Sequence, residues 1–241
     1  MKNKRTLFSW ATLIVIVLSG SFAGCEKDEI KPTFNDAITY GSVKDIDGNS
    51  YKTVTIGDQI WMAENLRTTK YNDGTKIPLV TVDTLWGALS TAGYCWYNNS
   101  ASENKAAYGA LYNWYAVNND SLNIAPEGWH IPTDAEWTAL TTYLEGVDSA
   151  GGPLKSVEGW NIPNIGADNS TGFTAMAGGF RDNLTGVFHN MERYGFFWTT
   201  TQSNAANAWY RGLGYDYIYV NRWAYDKGDG MSVRCIKNMD I

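Results

Sequence analysis

Apolar positions run almost unbroken from Leu7 to Leu18, interrupted only by Ser9 and Thr12 and preceded by Lys2, Lys4 and Arg5. A charged start followed by a short apolar run predicts a secretion signal, because the run is too short for a comfortable bilayer span. From Glu26 to about Ile38 the chain is charged, contains Pro32 and shows no periodicity, which predicts a spacer over residues 25–38. Strand-like alternation begins at Tyr40. Tyr51, Thr53 and Thr55 alternate with Lys52, Val54 and Ile56 between turn signals at Asp47-Gly48 and Gly57-Asp58, so Gln59 to Met62 should return as a partner strand. Leu111, Trp114 and Tyr115 recur at helical spacing and predict a helix over Tyr108 to Val117. A second helix is expected from Thr133, the cap of a Thr-x-x-Glu box closed by Glu136, to about Leu144. The polar stretch from Asp148 to Gly172 carries no strand signal and reads as a long functional or mobile loop. Short strands are then expected at Phe173 to Met176, Gly186 to His189, Phe196 to Thr200, Ala208 to Leu213, Ile218 to Asn221 and Met231 to Lys237.

The apolar run ends in Phe22-Ala23-Gly24-Cys25, small residues followed by a thiol. This resembles the lipobox of bacterial lipoproteins, with Phe22 where Leu is usual. The resemblance implies cleavage after residue 24 and acylation of Cys25, and two or more acyl chains anchor durably where one binds only marginally. The alternative is an ordinary signal cleaved nearby that leaves Cys25 free. The remainder, residues 39–241, is long enough for one domain with a sizeable core. The expected location is the cell envelope, on the outer membrane.

Losing Lys2, Lys4 and Arg5 takes the net charge from −6 to −9. An acidic surface repels phosphate backbones, so nucleic acid is not an expected partner. The 11 Trp and 15 Tyr residues predict a core built partly from rings, or a ring-lined binding surface. Cys95 and Cys235 both fall in strand-like contexts, and an envelope compartment permits a disulfide between them. On the chain-entropy model such a bridge would contribute about 4–5 kcal/mol, the alternative being two buried thiols.

Five segments then carry a family resemblance: Ile60-Trp61-Met62-Ala63-Glu64-Asn65-Leu66, Tyr108-Gly109-Ala110-Leu111-Tyr112-Asn113-Trp114, Gly128-Trp129-His130-Ile131-Pro132-Thr133-Asp134-Ala135-Glu136-Trp137, Phe197-Trp198-Thr199-Thr200 and Ser232-Val233-Arg234-Cys235. In this order they resemble the Fibrobacter succinogenes major paralogous domain, over about Tyr40 to Asn238. The resemblance implies an envelope lipoprotein of Bacteroidetes-type bacteria, with no defined biochemical role. Pro132 to Trp137 and Val233 to Cys235 are also similar to the formylglycine-generating enzyme superfamily. That likeness implies an α+β, C-type-lectin-like fold: two main helices against short twisted antiparallel strands, with long irregular loops.

Those enzymes use a thiol pair that binds copper, and neither Cys95 nor Cys235 has a neighbouring cysteine in sequence, so no oxidase is expected. No phosphate loop, nucleophile elbow or metal-spaced His/Cys set is present in the sequence. His130, beside a helix cap, reads as structural. The leading expectation is a non-catalytic binding or adhesion module, with carbohydrate the first candidate ligand. Its expected contacts lie between Trp198 and Asp226, at Trp209, Tyr210, Arg211, Tyr215, Tyr217, Tyr219, Arg222, Trp223 and Tyr225. The alternatives are a structural interaction subunit binding an envelope protein, and an unrecognised enzyme using His130 with Asp134 or Arg181 with Asp182. No cofactor is expected, although the acidic turns at Asp45 to Asn49 and Asp226 to Asp229 would each suit calcium or simply turn the chain.

Overall fold

The computed structural model describes residues 31–119 and 121–239. The predicted signal, Cys25 and the start of the spacer lie outside the described residues. The later spacer is not free of the domain, because Phe34 and Ile38 pack partly buried on its core.

Strand β1 (Gly41–Lys44) turns back as β2 (Ser50–Ile56), which returns as β3 (Gln59–Met62) with Val54 opposite Trp61, the hairpin read from the alternation. In the first turn, Asp45 accepts from the Asn49 amide and the Tyr51 hydroxyl, while Asp47 accepts from Thr69 and pairs with Lys70. Its carboxylates are therefore spent on holding the turn.

Next come the short helix α1 (Asp83–Trp86), β4 (Tyr94–Cys95), helix α2 (Ala101–Tyr108), β5 (Leu111–Tyr112) and the single turn α3 (Trp114–Val117). The continuous helix expected from Tyr108 to Val117 does not form. Gly109 holds φ +70°, and a Cβ there would lie 2.7 Å from both Asn65 Cβ and the Leu66 carbonyl oxygen, so α2 stops at Tyr108. Strand β6 (Trp129–His130) precedes α4 (Asp134–Tyr143), which carries the full capping box between Thr133 and Glu136. After α5 (Gly151–Leu154) the chain forms β7 (Gly178–Arg181), β8 (Phe188–Met191), β9 (Tyr194–Gln202), β10 (Asn207–Gly214), β11 (Asn221–Asp226) and β12 (Ile236–Lys237).

Ten of these strands build two curled five-stranded sheets, β1-β2-β3-β12-β6 and β11-β10-β9-β7-β8, in which only the β7–β9 pairing is parallel among the described residues, and β4 pairs with β5 in a separate two-stranded sheet. Strand outweighs helix, 30% against 16%, which corrects the two-helix α+β, lectin-like expectation. The physical reason is that among the described residues α4 is the single helix of ten residues, and Gly109 divides what read as the other into a helix end, a strand and one turn.

The core between the sheets is ring-rich. Trp61, Trp137, Phe173 and Phe197 form one cluster with centroids 5.1–6.4 Å apart, within the range in which aromatic pairs attract. The expected disulfide is also corrected. Cys95 packs with Trp86, Tyr97 and Leu111, whereas Cys235 sits in the main cluster with Met62 and Val233, and both are buried free thiols. Burial pushes the Cys95 thiol up to about 12, so it is unreactive as a nucleophile.

Candidate ligand-binding face

Side chains alternate across the strands, and the pairing register decides which residues meet. Tyr210 lies opposite both Trp198 and Trp223, and Gly212 lies opposite Phe196 and Asn221. Phe196, Trp198, Tyr210, Trp223 and Tyr225 therefore share one face, while Trp209, Arg211 and Arg222 share the other.

On the first face the rings form a continuous run. Tyr219 stacks on Tyr217 at 4.0 Å, Tyr217 meets Tyr194 at 6.1 Å, Tyr194 meets Phe196 at 6.1 Å, Phe196 meets Phe180 at 5.3 Å and Phe180 meets Tyr225 at 6.1 Å. Tyr210 joins the run 5.6 Å from Phe196 and 6.1 Å from Tyr225. Tyr215 flanks the run against Tyr194, and Gly214 is required there because a Cβ would strike the Tyr217 ring. A cavity of about 210 Å³ opens in the run, lined by Phe180, Asn190, Phe196, Tyr210, Tyr225 and Met231. Tyr219, Trp223 and Tyr225 are exposed at its margins, Trp223 the most at 62%. Burial holds the Tyr217 hydroxyl well above the usual phenol range and lifts Tyr210 to about 12. Both hydroxyls therefore stay protonated at neutral pH.

The opposite face belongs to the scaffold. Arg211, buried, donates to the Asp134 carbonyl, the Asp134 carboxylate and Thr138. Arg222 lies 3.6 Å over the Trp209 ring and donates to the same carboxylate. Together they pin the start of α4 to β10 and β11. Of the nine candidates from the sequence, Tyr210, Tyr215, Tyr217, Tyr219, Trp223 and Tyr225 lie on or beside the ring run, whereas Trp209, Arg211 and Arg222 do not. The sequence reading missed Phe180, Asn190, Tyr194, Phe196 and Met231. The alternation Tyr194, Phe196, Trp198 is the available signal, and it lies mostly upstream of Trp198 to Asp226.

The pairs considered for catalysis are separated. Asp134 serves the two arginines, and Arg181 donates to Asp83 and to the carbonyls of Val80, Thr81 and Gly186 instead of meeting Asp182. His130 does line a cavity of about 410 Å³, but both ring nitrogens are engaged, Nε2 with Glu136 at 2.7 Å and Nδ1 with Asn238 at 2.6 Å. These bonds tie the end of the chain to α4. The Glu136 hydrogen bond raises His130 above 6.5, and the Thr133 and His130 bonds hold Glu136 below 4.5 against the opposing effect of its burial. A raised His contributes stability below its unfolded value and loses it as pH rises through its folded value. A lowered Glu contributes above its unfolded value and loses stability on acidification. The pair is thus most stabilising between about 4.5 and 6.5, and His130→Gln should flatten the fall in urea midpoint of the wild type between mildly acidic and mildly alkaline buffer. An unchanged profile would contradict this.

A larger cavity, about 460 Å³, lies where the spacer enters the domain, beside Phe34, Arg67 and Lys105. Phe34 is its one lining ring and Glu64 engages Arg67, so it offers less for recognition than the ring run.

No curated protein and no solved structure matches the chain, and the likeness to the formylglycine-generating enzymes is not upheld. The model of the Fibrobacter succinogenes major domain matches residues 54–237, a span that contains all five motifs. Those motifs interlock in the structure. Asn65 of the first accepts from Arg234 of the last and donates to the Tyr108 carbonyl of the second, and Trp198 of the fourth donates to Tyr112 of the second. The chain belongs to the Fibrobacter succinogenes major domain family.

Proposed function

We propose that the chain is a lipid-tethered module of the cell envelope whose ring-lined face across β7, β9, β10 and β11 binds carbohydrate. The observation that carries this reading is the unbroken run from Tyr219 to Tyr225, opening into a cavity with Asn190 on its wall. Sugar rings present apolar C–H faces that stack on aromatic rings, while their hydroxyls need amide and phenol partners. A run of rings with intervening Asn and Tyr groups supplies both along the length of an extended glycan. The tether rests on the signal pattern and Cys25, and Cys25→Ala should release the protein from the membrane fraction.

The test is a glycan array probed with the full mature chain, followed by titration of the best ligand. Trp223→Ala and Tyr225→Ala should each weaken binding by about tenfold, a loss of about 1.4 kcal/mol. Tyr143→Ala removes an exposed ring on α4, away from the run, and should leave affinity unchanged. Equal loss in all three would sink the assignment.

One observation favours a second reading, docking of an envelope protein. Strand β11 lies at the end of its sheet and pairs only with β10 among the described residues, with Arg222, Trp223 and Tyr225 exposed along it. Specific capture of one envelope protein, lost in Trp223→Ala, with no glycan bound, would favour it.

A further inference from the structure

Next to the ring-lined cavity lies a second, of about 250 Å³, whose walls include Asp182, Asn183, Asn207, Tyr225, Asp226 and Asp229. The two cavities share Tyr225. Backbone amides fix one oxygen of each carboxylate: Leu184 and Thr185 donate to Asp182, Gly228 to Asp226 and Asn183 to Asp229. Asp229 is wholly buried, and its second oxygen, Oδ2, has no hydrogen-bond partner among the described residues.

A buried carboxylate oxygen without a partner is costly, so native structures rarely retain one that nothing uses. The cations near it in sequence do not meet it. Lys227 donates to Gln202 and to the Ala205 carbonyl, and Arg181 is spent on Asp83 and three carbonyls. Burial, with the charges of Asp182 and Asp226 adding to it, raises Asp229 to about 7, the behaviour of a carboxylate that lacks a counter-charge. Its field reaches the ring-lined cavity, since it adds to the effect of burial in raising both Tyr210 and Tyr225.

A metal ion needs several oxygens converging at short range on one point. Among the described residues no group of three or more His, Cys, Asp or Glu side chains is arranged to hold one. A protonated amine is less demanding: it needs separate acceptors at hydrogen-bond distance, and an aromatic face beside it adds cation–π attraction. We infer that this cavity takes the ammonium group of an amino sugar whose ring stacks in the adjoining ring-lined cavity, with Asp229 as its main acceptor and Tyr225 between the two. The inference deepens the carbohydrate reading and rests on it.

Titration calorimetry of the full mature chain tests it, with a glucosamine oligomer carrying free amines compared against the same oligomer N-acetylated, near neutral pH, where Asp229 is still partly ionised and the amines are partly protonated. The free-amine form should bind about tenfold tighter. Asp229→Asn should bring the two ligands within about twofold of each other while leaving affinity for the acetylated form in place. Asp226→Asn, at a less buried position, is the second variant should Asp229→Asn fold poorly, and it should shrink the same preference. Equal binding of both forms to the wild type, or a preference that survives both variants, would overturn the inference while leaving the carbohydrate reading intact. Displacement of the free-amine oligomer by millimolar calcium would assign the cavity to a metal and also overturn it. Binding of neither oligomer, nor of any neutral glycan, would remove the carbohydrate reading itself.

Discussion

Arg234→Met should destabilise the protein by more than about 4 kcal/mol, a large share of the roughly 5–15 kcal/mol expected of a single domain. Arg234 is wholly buried, and its guanidinium donates to Asn65 Oδ1 at 2.7 Å and to the carbonyls of Met62, Phe173 and Thr174 while lying 4.6 Å over the Phe173 ring. Replacing a buried ion pair with apolar groups is often harmless, because both partners are exchanged together. Here three of the four acceptors are main-chain carbonyls, which no substitution removes. Each orphaned acceptor costs about 1–3 kcal/mol, which outweighs the gain from no longer burying a charge. Urea unfolding of the full chain measures the loss. Arg234→Lys, which can serve at most three of the four acceptors, should fall between wild type and methionine. A loss below about 1 kcal/mol in Arg234→Met would show that the carbonyls find other partners.

The second large effect is expected at Lys155. Its ammonium is buried and donates to the carbonyls of Ile165, Gly214 and Tyr217, each at 2.8 Å. Burial lowers it to about 8, so it is still mainly charged at neutral pH and can supply all three protons. Lys155→Met should cost about 3 kcal/mol or more on the same reasoning. The damage should be local as well, because these carbonyls belong to the long loop before β7, to the last residue of β10 and to the segment joining β10 to β11. Faster amide exchange at Ile165, which donates to the Tyr215 carbonyl, should accompany the loss. Unchanged exchange there, with stability lost elsewhere, would contradict this role for Lys155.

Arg234 shows why the family motifs identify the fold more readily than the chemistry. Arg234, Asn65, Trp198 and Trp114 are motif residues, and each is committed to holding one strand or turn against another. The whole lining of the ring-lined cavity lies outside the motifs, at Phe180, Asn190, Phe196, Tyr210, Tyr225 and Met231. The motifs and the proposed site are thus carried by different residues, as where function sits in a site grafted onto a fold.

Local signals were legible where local chemistry decides the structure. The β2–β3 hairpin follows from its turn residues and alternation, and the start of α4 follows from the Thr133–Glu136 box. The readings that failed depended on contacts distant in sequence. The spacing of Leu111, Trp114 and Tyr115 matched a helix, but the backbone at Gly109 is fixed by close approach of Asn65 and Leu66, more than forty residues upstream. Two cysteines suggested a bridge, yet parity in the sequence carries no information about proximity, and they lie in separate clusters. The ring-bearing segment is legible in the composition, but which of its side chains share a face depends on register: even-numbered residues of β10 lie with odd-numbered residues of β11. That relation placed Tyr210 with Trp223 and turned Arg211 and Arg222 toward Asp134. Buried arginine and lysine cages are illegible for a similar reason, since nothing near Arg234 or Lys155 in the sequence names the carbonyls that surround them.

The claim on which the functional account depends is that ligand meets protein at the ring run from Tyr219 to Tyr225. Nuclear magnetic resonance with saturation transfer from a bound oligosaccharide to the full chain maps that contact directly. The account predicts transfer to the rings of Phe180, Tyr210, Trp223 and Tyr225 and none to Phe34 or His130. Transfer confined to the cavities beside Phe34 or His130, or no transfer from any glycan tested, would contradict it.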